Sequence, residues 1–100
     1  MWLNFTPHQG HEQAGVRPAL VLSPQAYNQK SGLMIACPIT SRVKGYPFEV
    51  RVKAKRIDGA ILADQVKSVD WRARNTSFVE HAPSSALGQT QEYIELLVVG

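Results

Sequence analysis

The middle of the chain alternates short apolar runs with turn-forming residues, the rhythm of a small β-protein. Ala19-Leu20-Val21-Leu22 is uninterrupted apolar sequence between Pro18 and Ser23-Pro24. A run with no polar side reads as a strand covered on both faces. Leu33-Met34-Ile35-Ala36-Cys37, opened by Ser31-Gly32 and closed by Pro38, is a second of the same kind. Phe48-Glu49-Val50-Arg51-Val52-Lys53 instead alternates apolar and polar positions and predicts a strand with one face in water. Asp58-Gly59 is a turn signal. Ala60-Ile61-Leu62-Ala63 reads as another buried strand and Val66-Lys67-Ser68-Val69 as a shorter one. Met1-Trp2-Leu3-Asn4-Phe5 alternates like the second half of a strand, with no turn or cap before it.

After Pro83-Ser84-Ser85 the period changes. Leu87, Ile94, Leu97 and Val98 recur near helical spacing, with Gln91, Glu92 and Glu95 on the other side. Gly88 costs such a helix about 1 kcal/mol relative to alanine, yet the spacing still predicts one terminal helix packed on a small twisted sheet. Two polar loops break the pattern. Residues 6–15 (TPHQGHEQAG) hold His8, His11 and Glu12, and residues 41–47 (SRVKGYP) hold Arg42, Lys44 and Tyr46. Polar, glycine-containing loops on a rigid sheet are where binding and catalytic groups concentrate.

Composition narrows the class. One hundred residues, 44% hydrophobic and 19% charged, make one globular domain spanning 1–100. A domain of this size buries a modest share of its surface and gains by dimerising. The net charge of +3 and pI near 9.3 suit a polyanionic partner. Cys37 is the sole cysteine, which excludes an internal disulfide and a cysteine-based zinc cluster and fits a reducing cytoplasm. Asn75-Thr76-Ser77 matches a glycosylation acceptor, but no signal peptide and no bilayer-length apolar run accompany it.

Several side chains could carry chemistry. His8, His11 and Glu12 match no standard zinc spacing and lack a fourth ligand, so no metal is expected and acid–base work suits them better. Arg17 precedes Pro18 and so projects from an extended segment, where its guanidinium can fork onto a phosphate or form an ordinary surface ion pair. Thr40 and Ser41 stand at a strand end, where hydroxyls bind phosphate oxygens or cap turns. Asp64 and Gln65 follow the Ala60-Ala63 run. Lys67, Arg72 and Arg74 surround Trp71, a combination that binds single-stranded RNA or simply packs an aromatic into the core. No serine elbow or Ser-His-Asp arrangement is visible.

In order and register these segments resemble the MazF/PemK family of toxin endoribonucleases. GHEQAGVRPALVLSP (residues 10–24) resembles the family's G-x-E-Q-x-G-x-R-P signature and second strand. CPITSRVKGYPFEV (37–50) resembles its P-x-T-S segment and the flexible loop after it, and DGAILADQVKSVDWRAR (58–74) its later strand pair. KGYPFEV and LADQVKS point to the MazF branch. The resemblance implies an SH3-like barrel of bent antiparallel strands with a C-terminal helix, assembled as a homodimer. It implies metal-independent, sequence-specific cleavage of single-stranded RNA, with no cofactor. It also implies an acidic MazE-like antitoxin that blocks the RNA groove. Arg17 and Thr40 match the family's catalytic arginine and threonine. Glu12 and His11 lie on the adjoining loop as candidates for proton transfer or positioning. Ser41, Arg42, Lys44, Asp64, Gln65 and Lys67 are the expected RNA-binding set.

Two departures qualify the match. Some PemK-type members carry an arginine two positions before the aspartate, where this chain has Leu62 before Asp64. A mechanism built on that pair does not transfer, and the burden falls on Arg17 and Thr40. Family members also begin a few residues earlier, so the first strand is expected to be truncated. The rival readings are a toxin of the same fold that inhibits a protein such as a topoisomerase, and a noncatalytic RNA-binding module.

Overall fold

A computed structural model describes residues 2–5, 17–73 and 76–100. The predicted runs become strands, and one further short strand, Ser77–Phe78, forms where the pattern predicted none. In chain order these are β1 (Trp2–Phe5), β2 (Arg17–Val21), β3 (Leu33–Thr40), β4 (Glu49–Lys53), β5 (Asp58–Leu62), β6 (Lys67–Asp70) and β7 (Ser77–Phe78). Helix α1 (Gln25–Ser31) joins β2 to β3, a 3₁₀ turn (Ala63–Gln65) follows β5, and α2 (Ser84–Val99) ends the chain.

All the strands pair antiparallel in the order β4-β5-β3-β2-β1-β7, with β6 added beside the first half of β3. β3 is the hub: Leu33 to Ala36 pair with β6, whereas Ile39 and Thr40 pair with β5. One strand can serve two neighbours on the same edge only if it bends between them. Its burial records the bend. Met34 and Ala36 are buried on one face, then Cys37 and Ile39 on the other, so the alternation changes phase at the middle of the strand. Among the described residues the ladder does not close into a ring, and the expected SH3-like barrel is met as this strongly bent sheet with a C-terminal helix.

The uninterrupted apolar runs follow from two cores. Leu20, Cys37, Ile39, Val50, Val52, Ile57 and Ile61 pack with Ala86, Leu87, Tyr93 and Ile94 of α2 on one face. Ala19, Val21, Met34, Ala36 and Val69 pack with Trp71 on the other. Most of β2 and β3 is thus removed from water, with Ile35 alone exposed on β3, leaving little place for a polar stripe. On α2, the buried Thr90 hydroxyl donates to the Ala86 carbonyl at 2.8 Å and so meets its hydrogen-bonding need inside the helix.

Two sequence readings are corrected. Asp58-Gly59 opens β5; the turn lies one step earlier, where the Ala54 N–H donates to the Ile57 carbonyl at 2.7 Å. The terminal apolar run ends at Leu62, and Ala63 and Asp64 belong to the 3₁₀ turn. The alternation of residues 48–53 and the C-terminal period are realised as β4 and α2.

Candidate active site

The end of β3 meets three other segments. β5 pairs alongside, setting Ile39 opposite Ile61 and Thr40 opposite Ala60. β2 pairs on the other edge, with Ala19 opposite Pro38 and Leu20 opposite Cys37. Carrying that register two residues further sets position 17 level with position 40. Arg17 is the first residue of β2 and pairs on its other side with Phe5. Arg17, the first residue of β2, and Thr40, the last of β3, therefore stand at the same end of the antiparallel pairing.

Thr40 is half-buried, and its hydroxyl accepts a hydrogen bond from the Arg42 N–H at 3.0 Å. That bond fixes the oxygen and leaves the hydroxyl proton to be donated outward. The carbonyl side of Thr40 is fixed by close contact. A Cβ placed on Gly59 would lie 2.1 Å from the Thr40 carbonyl oxygen and 3.0 Å from its carbon. Only glycine allows β5 to press this closely against the end of β3.

Two clefts open on either side of Thr40. The larger, about 580 Å³, is lined by Pro18, Ile39, Thr40, Ser41, Arg42, Arg56, Ile57 and Asp58. The smaller, about 240 Å³, adds Lys44, Tyr46, Pro47, Glu49, Leu62, Asp64 and Gln65 to Thr40 and Arg42. The wall of the smaller cleft is held by Glu49, whose Oε1 accepts the N–H groups of Lys44 at 3.3 Å and Gly45 at 3.0 Å. The Lys44 ammonium sits 5.6 Å over the Tyr46 ring. The segment returns to the sheet through Phe48, at φ 70°, whose ring meets Tyr93 of α2 edge-on at 5.4 Å. A phenylalanine in the left-handed region is held there by its surroundings.

Of the expected RNA-binding residues, Ser41, Arg42, Lys44, Asp64 and Gln65 line one or both clefts. Lys67 does not: it is exposed on β6, opposite Ala36, away from the Thr40 end of β3. His8, His11 and Glu12 lie outside the described residues. Trp71 and Arg72 are engaged internally. The Trp71 indole donates to the Asn28 carbonyl at 2.9 Å, and Arg72 stacks on Trp71 and donates to the Gln29 carbonyl. They tie the end of α1 to the sheet. Cys37 is buried behind the site, and burial, with the Asp64 charge second, pushes its thiol pKa from 9.0 up to about 11. It is a packing residue with no thiolate to offer near neutral pH.

Gly59, Glu49 and Arg56 were not anticipated. In sequence, Gly59 is indistinguishable from a turn glycine, and Glu49 is one polar position of an alternating strand. Arg56 alone left a signal, as the last of three cations in Lys53-Ala54-Lys55-Arg56. Among the described residues no group of three His, Cys, Asp or Glu side chains is placed to hold a metal ion. None of the described helices is long and apolar enough to cross a membrane.

Comparison with known proteins bears on this site. The family described as PemK-like, MazF-like toxins of type II toxin–antitoxin systems matches residues 1–98. The endoribonuclease toxin MazF of Escherichia coli K12 is 53% identical over 77 residues, covering 77% of this chain and 69% of that protein. The endoribonuclease PemK of Escherichia coli is 30% identical over 95 residues, covering 89% of this chain and 71% of that protein. Among solved structures, the MazE-MazF complex of Deinococcus radiodurans superposes with a TM-score of 0.86 at 52% identity, covering 98% of this chain and 89% of that one.

Proposed function

The chain belongs to the PemK-like, MazF-like toxins of type II toxin–antitoxin systems, and from that premise we propose that it is an endoribonuclease that cuts single-stranded RNA, typically mRNA, at the Thr40 clefts. The observation that carries the reading is Thr40, its hydroxyl held by the Arg42 N–H and its carbonyl packed against Gly59, at the junction of two clefts and at the same end of the β2–β3 pairing as Arg17.

The chemistry requires no protein nucleophile and no metal. The RNA's own 2′-hydroxyl attacks the adjacent phosphorus, a pentavalent phosphorane forms, and the 5′-oxygen leaves. The products are a 2′,3′-cyclic phosphate and a free 5′-hydroxyl. The protein must take a proton from the 2′-oxygen, offset charge on the phosphorane and return a proton to the leaving oxygen. Arg17 offsets that charge with its bidentate fork, and Thr40 donates its hydroxyl proton to a phosphate oxygen. Glu12 and His11 serve the proton transfers. Ser41, Arg42, Lys44, Asp64 and Gln65 hold the flanking nucleotides, with Lys67 as an outlying contact. The protein works as a homodimer in the cytoplasm, and an acidic MazE-like antitoxin competes for the RNA groove.

The test is direct. Purified protein is incubated with single-stranded RNA in EDTA beside Arg17→Ala, and the ends are mapped. Cutting by the wild type alone, with 5′-hydroxyl ends, supports the reading. If the wild type cuts at no ionic strength, the noncatalytic RNA-binding module or the topoisomerase-type inhibitor takes its place, and an RNA-binding assay decides between those two.

A further inference from the structure

The hairpin that joins β4 to β5 carries more positive charge than its turn requires. Its tip reads Lys53-Ala54-Lys55-Arg56, with Lys53, Lys55 and Arg56 exposed. The neighbouring acids are already engaged. Asp58 lies 2.8 Å from Arg51, and Glu80 accepts the Arg56 backbone N–H at 2.8 Å. Arg51 is in turn committed to the sheet, donating to the carbonyls of Gly59 at 2.6 Å and Val52 at 3.1 Å. The Arg51–Asp58 pair cancels, while the Glu80 carboxylate, bonded only to a backbone N–H, keeps its charge, so the three tip cations leave a net charge of about +2 here. They are continuous with the site: Arg56 shares the wall of the larger cleft with Thr40, Ser41 and Arg42. Positive charge thus runs from Arg42, through Arg56 and Lys55 in the turn, to Lys53 at the end of β4, the outer strand of the sheet.

We propose that this hairpin is a phosphate track, along which single-stranded RNA leaving the Thr40 clefts lays its backbone. The inference rests on the endoribonuclease reading and adds to it a stretch of substrate beyond the cut bond. Lysine ammonium groups bind phosphates as point charges and do not read bases, so the track supplies affinity and on-rate without changing the cleavage sequence. The competing account is that lysines on an edge strand only discourage pairing with another chain. That role generates no salt-dependent RNA affinity, and salt separates the two.

The experiment measures binding of a 2′-O-methyl single-stranded RNA, long enough to overrun the clefts and unable to be cut, across a salt series. The full chain is compared with Lys53→Ala/Lys55→Ala/Arg56→Ala. Each lost phosphate contact flattens the slope of log K against log salt by about 0.7 for a single strand, so the triple variant should lose about 2. Lys30→Ala, on α1 at the far end of β3, removes one positive charge elsewhere, the control for Lys55→Ala, and should leave the slope unchanged. Thermal denaturation verifies folding, and Lys55→Ala alone, with about a third of the effect, serves if the triple variant does not fold. An unchanged slope overturns the track. So does a variant that keeps its RNA slope and loses affinity for an acidic peptide, which would assign the hairpin to the antitoxin. Because binding is read without cleavage, a wild type that binds RNA and never cuts it would sink the nuclease reading and leave the track standing.

Discussion

Thr40 owes its placement to neighbours that sequence hides. The residue itself was legible, because the P-x-T-S resemblance singles it out, but Gly59 was read as a turn glycine when its role is to let a carbonyl approach. A Cβ there would sit 2.1 Å from the Thr40 carbonyl oxygen, so Gly59→Ala forces the end of β3 to move. Overpacking of this kind costs about 1–3 kcal/mol, and kcat should fall with stability; an alanine variant equal to wild type in melting and turnover would show that the contact is not made. Thr40→Val removes both the outward donor and the acceptor for the Arg42 N–H, and kcat should drop about 10²–10³-fold. Thr40→Ser keeps both and should retain most of the activity. Cys37 makes a separate prediction. Its proton leaves near pH 9.0 when unfolded and only near about 11 when folded, so its contribution to stability is full below pH 9.0 and is lost as pH rises toward 11. Two pH units correspond to roughly 2–3 kcal/mol. In urea titrations, the stability lost between pH 9 and 11 should be smaller for Cys37→Ala than for the wild type, and equal losses would refute the assignment.

Among the elements, six of the seven strands were legible because burial imposes their pattern, and β7 and α1 were not: Phe78 of β7 is exposed and nothing in α1 is buried. Gln25–Ser31 has no side-chain N-cap and no buried residue, so it carries neither the apolar stripe nor the capping signal of a helix. It is held from outside, by Trp71 and Arg72 on its last carbonyls. The 41–47 loop is a second element whose order comes from afar. Glu49 accepts two of its backbone N–H groups from the first residue of β4. Removing that acceptor frees the wall of the smaller cleft, where Lys44 and Tyr46 stand. Glu49→Ala should therefore raise KM for a short RNA about tenfold, the worth of roughly one hydrogen bond to a charged group. Glu49→Gln, which keeps an amide oxygen for the same N–H groups, should recover most of it. Limited proteolysis provides a second readout, with faster cutting between 41 and 47 in the alanine variant. A loss confined to kcat, with proteolysis unchanged, would mean that Glu49 acts on the chemistry and not on the loop.

The whole molecule is organised by β3, which sends Met34 and Ala36 into one core and Cys37 and Ile39 into the other. Sequence pattern revealed a strand drawing residues from both faces into cores, although Ile35 in its first half is exposed. It did not reveal the bend, because a change of phase inside an uninterrupted apolar run leaves no polar residue to mark it. The bend has a thermodynamic consequence. Two cores that share a strand cannot be lost one at a time, since unravelling either withdraws β3 from the other. Met34→Ala and Ile61→Ala, one in each core and both fully buried, should each cost about 2–5 kcal/mol. Their effects should appear everywhere. Native-state hydrogen exchange, at one fixed protein concentration so that any self-association is held constant, should show Met34→Ala lowering protection in α2 as much as in β6, although α2 packs against the other core. Loss confined to β6 and the first half of β3, with α2 as protected as in the wild type, would divide the protein into two independently opening halves. It would also mean that the strand holding Thr40 does not transmit the state of one core to the other.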